Sequence, residues 1–88
     1  MKQLAKVEEV EREGLIALLE ENVLIFGLNY IYAGKLIGVN DKFVKLENAK
    51  VVYETGSYSD KGYKDAQSLP GSAWYVHTSA IESYGLGK

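Results

Sequence analysis

One short run holds the side chains best suited to recognition. Asn40-Asp41-Lys42-Phe43 sets a carboxamide, a carboxylate, an ammonium and an aromatic ring side by side. A flat ring can stack on an unpaired base and a lysine can meet a phosphate, which is how single strands are commonly held. His77, next to Thr78 and Ser79, reads by residue type as a structural or solvent-facing side chain. Each residue also has a plainer reading. Phe43 suits a core aromatic at a strand start, and Lys42 and Lys45 suit solvated surface. Asn40 and Asp41 are turn formers, since both bond their own backbone and tolerate unusual angles.

Metal and acid–base chemistry find no comparable grouping. His77 is the single histidine and cysteine is absent. Disulfides and thiolate metal sites are therefore excluded, and the imidazole lacks a partner of its own kind. No nucleophile and base assemble by spacing, so no enzyme, cofactor or metal is expected. Asp60-Lys61-Gly62-Tyr63-Lys64-Asp65 lacks the alternating ligands and the glutamate of a calcium loop. Gly85-Leu86-Gly87-Lys88 lacks the Ser/Thr and helix that a phosphate loop needs next. Tyr58, Lys61, Tyr63 and Lys64 interleave aromatic and basic residues, a pattern that fits nucleic-acid binding and a flexible polar loop equally.

Eighty-eight residues make one small domain, spanning 1–88, with a thin stability margin. Charged residues are 25% and apolar residues 47%, the balance of a globular protein. Ten basic and twelve acidic residues leave a net charge of −2, which excludes binding to nucleic acid or membranes by bulk positive charge. The N-terminal run lacks the apolar core of a signal peptide, and the longest apolar run, Val23 to Leu28, is far short of a bilayer span. A cytoplasmic protein without membrane contact is the expectation.

The elements that must position these residues change character at residue 22. Residues 1–22 carry three basic and six acidic residues among Leu, Ala and Val, and read as an N-terminal amphipathic α-helix with Leu4, Val7, Val10, Leu15, Leu18 and Leu19 in its stripe. Gly14 weakens its middle and Asn22 suits its end. Val23-Leu24-Ile25-Phe26 reads as a short buried strand, and Tyr30 to Val39 as a longer one with Ile31, Ala33, Ile37 and Val39 on one face. Phe43 to Glu54 reads as a third strand. Its apolar parity flips from Val44 and Leu46 to Ala49, Val51 and Tyr53, which demands an extra residue or a turn, placed at Glu47-Asn48. Residues 55–71 read as a long polar loop. Ala73 to His77 and Ala80 to Tyr84 are the last two strands, and Gly85 to Lys88 a frayed tail.

One helix and five short strands suit a small, strongly bent open barrel of mainly β class. Such a barrel leaves edges, here carrying Trp74, Tyr75, Val76, Ile81 and Tyr84, and an apolar edge invites aggregation unless a neighbour covers it. A closed ring of identical subunits would cover it.

The stretch Tyr32-Ala33-Gly34-Lys35-Leu36-Ile37-Gly38-Val39-Asn40-Asp41 resembles the first signature of Sm/LSm proteins, a glycine-containing strand running into an acidic turn. Phe43-Val44-Lys45-Leu46-Glu47-Asn48-Ala49 is similar to the strand that follows it in that family, and Val76 to Ile81 lies where the second signature falls. The resemblance covers about half the chain through short motifs, and points toward small, divergent phage-type or bacterial Sm-like proteins. It implies an SH3-like barrel assembling into a homo-oligomeric ring of roughly five to seven subunits, with single-stranded RNA or DNA as partner. It also implies a pore-facing site at Asn40, Asp41, Lys42 and Phe43 and at His77, Thr78 and Ser79. Thr78-Ser79 stands where the family carries arginine-glycine or lysine-histidine, and Val44 stands near the place of its base-contacting asparagine. The rival expectation is a structural or assembly ring that binds no nucleic acid.

Overall fold

The computed structural model describes residues 13–88. Within them lie six strands: β1 (Asn22–Gly27), β2 (Ile31–Val39), β3 (Phe43–Glu54), β4 (Asp65–Ser68), β5 (Trp74–His77) and β6 (Ile81–Leu86). All pair antiparallel in one sheet of order β4-β3-β2-β1-β6, and β5 lies beside the first half of β3. The sheet does not close, because β5 and β6 are joined by the 3-10 turn Thr78–Ala80 without pairing to each other.

The expected N-terminal helix is corrected. Its first part, residues 1–12, lies outside the described residues. The remainder holds only a single 3-10 turn, Leu15–Leu18, and no α-helix. Gly14 at φ 82 and Glu20 at φ 74 break helical geometry on both sides of that turn. The chain next to Glu20 instead behaves as a strand extension, with the Glu20 N–H donating to the Leu36 carbonyl at 2.7 Å and the Leu36 N–H to the Glu21 carbonyl at 2.9 Å.

β1 is buried at Val23, Leu24 and Ile25 because both of its faces are covered. Val23 and Ile25 join Leu36, Val44, Leu46, Ala49 and Val76 in the main core, against which Leu15, Leu18, Trp74 and Ile81 pack. Leu24 turns the other way and joins Ala33 and Val52 in a second cluster, covered by Phe26, Ile31, Tyr63 and Ala66. A near-continuous apolar run is what burial on both faces requires.

Bulges set the phase of the long strands. β3 gains a residue between its pairs Ala33↔Lys50 and Lys35↔Glu47, and Asn48 sits there at φ 53, a conformation asparagine tolerates. The expected break at Glu47-Asn48 is therefore present. The face beyond it differs from expectation: Val52, rather than Val51 or Tyr53, is buried, and Tyr53 is exposed. β2 carries its own extra residue between Leu36 and Gly38, which returns Val39 to the main core beside Leu36. The continuous face expected of Ile31, Ala33, Ile37 and Val39 is thereby split. Gly34 faces the β3 bulge. A Cβ there would stand 3.1 Å from the Glu47 carbonyl and 3.2 Å from Ala49 Cα and Leu46 Cβ, so the strands approach this closely only through glycine.

Two further expectations change. The polar segment 55–71 contains β4, which pairs with the second half of β3 from Lys50↔Ser68 to Glu54↔Asp65. Residues 85–88 are tied down rather than frayed. β6 runs to Leu86, and the Gly87 N–H donates to the Asn22 carbonyl at 2.8 Å. Among the described residues no helix is long and apolar enough to cross a membrane.

Candidate nucleic-acid interface

The β3–β5 register brings the two recognition runs together. Phe43 pairs with His77, Val44 with Val76, Lys45 with Tyr75 and Leu46 with Trp74. The Thr78 N–H donates to the Lys42 carbonyl at 2.9 Å, and Thr78 Oγ1 to the Asp41 carbonyl at 2.9 Å. One turn is thus stitched to the other through a backbone bond and a hydroxyl.

The first turn is shaped by Asn40. Its Oδ1 accepts from the Lys42 and Phe43 N–H groups, both at 2.8 Å, while its own N–H donates to the Phe43 carbonyl at 3.0 Å. This is local side-chain capping, which explains why asparagine suits the position. It also commits the Asn40 carbonyl to the backbone. Thr78 is similarly committed through its hydroxyl. Asp41, Lys42, His77 and Ser79 remain exposed.

Strand alternation sorts the neighbours. Val44, Leu46 and Val76 point into the main core. Phe43, Lys45, Tyr75 and His77 therefore share the opposite face. Phe43 belongs to neither buried cluster. Its ring meets Tyr75 edge-on, with centroids 5.0 Å apart and planes at 87°, a favoured aromatic geometry. Lys45 Nζ lies 5.8 Å from the Tyr75 centroid, within cation–π range. Tyr75 is 53% exposed, so much of its surface is open to a stacking partner. The result is an aromatic pair flanked by Lys42, Lys45 and His77. Neither lysine joins the ion pairs seen among the described residues, which link Lys35 to Glu20 and Lys64 to Glu54.

The sequence reading placed Tyr75 on the oligomer edge and missed its ring as part of this face. Only the Lys45↔Tyr75 register reveals the grouping, and register between distant strands leaves no local trace. Trp74, Val76 and Ile81, expected at the oligomer interface, pack against or into the chain's own core. Tyr84 is exposed. What β5 and β6 present at their outer edges is backbone. The bonds Thr78→Lys42 and Gly87→Asn22 fix which residues face their partner strands, and alternation turns the N–H and C=O groups of Tyr75 and His77, and of Tyr84 and Leu86, outward.

The other interleaved run separates in space. Tyr58 is exposed, Tyr63 packs on the second cluster, and Lys64 pairs with Glu54 at 3.4 Å. Among the described residues no three metal-ligating side chains converge. No family model, curated protein or solved structure matches the chain.

Proposed function

We propose that the chain is the subunit of an Sm-like ring that binds single-stranded nucleic acid, RNA foremost, without catalysing a reaction. The observation that carries this reading is the union of the Asn40–Phe43 and His77–Ser79 runs around the Phe43–Tyr75 pair. A base stacks on the open Tyr75 surface, Lys42 and Lys45 meet the backbone phosphates, and His77 and Ser79 bond the base edge. The strand order, with a 3-10 turn between two open-edged strands, supports the Sm-like, SH3-like barrel. The outer edge of β5 on one copy pairs with that of β6 on the next. Such a head-to-tail contact closes into a ring when its rotation permits. Repetition then multiplies a weak single-site contact through effective concentration.

Fluorescence polarisation with labelled oligo-U, oligo-A and single-stranded DNA at low salt tests the reading. Saturable binding below tens of micromolar is expected, weakening with added salt. No saturation in that range rejects it. A second reading, a purely structural assembly ring, is favoured by one observation: the Asn40 carbonyl and the Thr78 hydroxyl are already spent on the turns themselves. Lys42→Glu combined with Phe43→Ala separates the two. Oligonucleotide affinity unchanged in the double variant removes the site from these turns.

A further inference from the structure

Residues 55–64 and Lys88 form a second built site, beside the second apolar cluster on which Tyr63 packs. Lys88 Nζ donates to the carbonyls of Thr55 at 2.9 Å, Ser57 at 2.8 Å and Gly62 at 2.8 Å. An ammonium has three N–H donors, and all three are used. The Tyr63 ring also lies beside the group, its centroid 5.0 Å from Nζ. The Lys88 N–H also donates to Tyr63 Oη at 3.0 Å.

The loop is braced in this shape by its own bonds. The Asp60 N–H donates to the Ser57 carbonyl at 3.0 Å, the Lys64 N–H donates to the Thr55 carbonyl at 3.3 Å, and the Ser57 and Ser59 hydroxyls pair at 2.8 Å. Access for the lysine depends on Gly87. A Cβ there would stand 2.8 Å from Tyr63 Oη and 2.9 Å from the Val23 carbonyl.

We propose that residues 55–64 are a receptor for the primary ammonium of a lysine side chain, filled in the free chain by Lys88. Three neutral carbonyl dipoles and one aromatic face match a compact organic cation. The N···O spacings are those of charge-assisted hydrogen bonds and exceed the 2.3–2.6 Å that calcium takes from oxygen. Lys88 and Tyr63 are also walls of a cleft of about 190 Å³, completed by Asn22, Asn48 and Lys50 among others. Withdrawing Lys88 therefore opens the cage and that cleft together. The proposal stands independently of the nucleic-acid reading, since it shares no residue with that site.

The test uses Lys88→Ala in the full chain. Its thermal midpoint falls by roughly 4–8 °C, the shift expected for losing a modest interaction in a domain this small. n-Butylammonium chloride, a truncated lysine side chain, restores the midpoint saturably and returns the amide resonances of Ser57, Gly62 and Tyr63 toward their native positions. Tetramethylammonium, which has charge but no N–H, does not. Native-like stability and spectra in Lys88→Ala, or rescue by tetramethylammonium equal to that by butylammonium, overturn the proposal. A measurement on the native chain decides the matter even if the variant does not fold. The Lys88 ammonium protons exchange with water more slowly than those of exposed Lys61, and equal exchange rates for the two also overturn it.

Discussion

Within the Asn40–Phe43 turn, neighbouring residues divide stability from the recognition proposed above. Asn40 Oδ1 accepts two backbone N–H groups, so its removal leaves two donors to find water or new partners. Asn40→Ala should cost about 1–2 kcal/mol, measured by urea denaturation, because a lost side-chain acceptor typically costs that much. Phe43 is half-buried and outside both apolar clusters. Phe43→Ala should change stability less than Asn40→Ala. Under the proposed function it should weaken oligonucleotide binding by about 1–3 kcal/mol per stacked base, read by polarisation. The opposite ranking, with affinity held and stability lost, would make the Phe43–Tyr75 pair a packing device. Gly34 belongs at this scale too. Gly34→Ala forces a Cβ to within 3.1–3.2 Å of two β3 backbone atoms and Leu46 Cβ, and should cost about 1–3 kcal/mol as overpacking, seen as a lower denaturation midpoint.

Among the elements, β3 governs the rest, since it pairs with β2, β4 and β5. Its bulge at Asn48 lets one strand serve two apolar clusters: Val44, Leu46 and Ala49 on one side, Val52 on the other. Asn48→Gly should be neutral within a few tenths of a kcal/mol, because both residues accept positive φ, whereas Asn48→Val should cost about 1–3 kcal/mol. Circular dichroism during thermal unfolding checks both. That bulge was legible in the sequence because the apolar parity flips around it. In β2, Gly34 and Gly38 signal a bend or bulge, but they leave too few side chains to fix its position between Leu36 and Gly38. β4 was equally hidden. Its residues Asp65, Ala66, Gln67 and Ser68 offer one apolar side chain, and its place is fixed by pairing with β3 rather than by any alternation of its own. The helix expectation rested on propensity and an apolar stripe at helical spacing, which tertiary pairing at Leu36 overrides in residues 20 and 21. The two candidate turns came from the resemblance to Sm/LSm motifs, with residue type speaking only for Lys42 and Phe43. Their meeting, and the place of Tyr75 between them, depended on a register that no local pattern encodes.

For the whole molecule, edges decide the outcome. An antiparallel sheet that stays open leaves two rows of unpaired backbone groups, and natural proteins cover such rows or blunt them with charge or proline. β5 and β6 carry neither proline nor lysine, and Glu82 is their one acidic residue. The two edges differ in sequence, β6 ending the sheet order and β5 lying beside β3, so a contact between them is head-to-tail rather than two-fold, which is the geometry that builds rings. The proposed ring therefore predicts a sedimentation mass that is a multiple of the 9.8 kDa chain and holds over a wide loading range. It further predicts a variant that separates assembly from folding. Tyr84→Pro removes one outward N–H from β6 while leaving the bonds of Ser83 and Gly85 to β1 in place, since proline is tolerated on an edge where its missing donor faces away. That variant should sediment as a folded monomer, whereas Tyr84→Ala, which keeps the N–H, should remain assembled. A native chain that is monomeric at every loading rejects the ring, and dissociation of both variants alike would move the contact from the backbone edge to the tyrosine side chain.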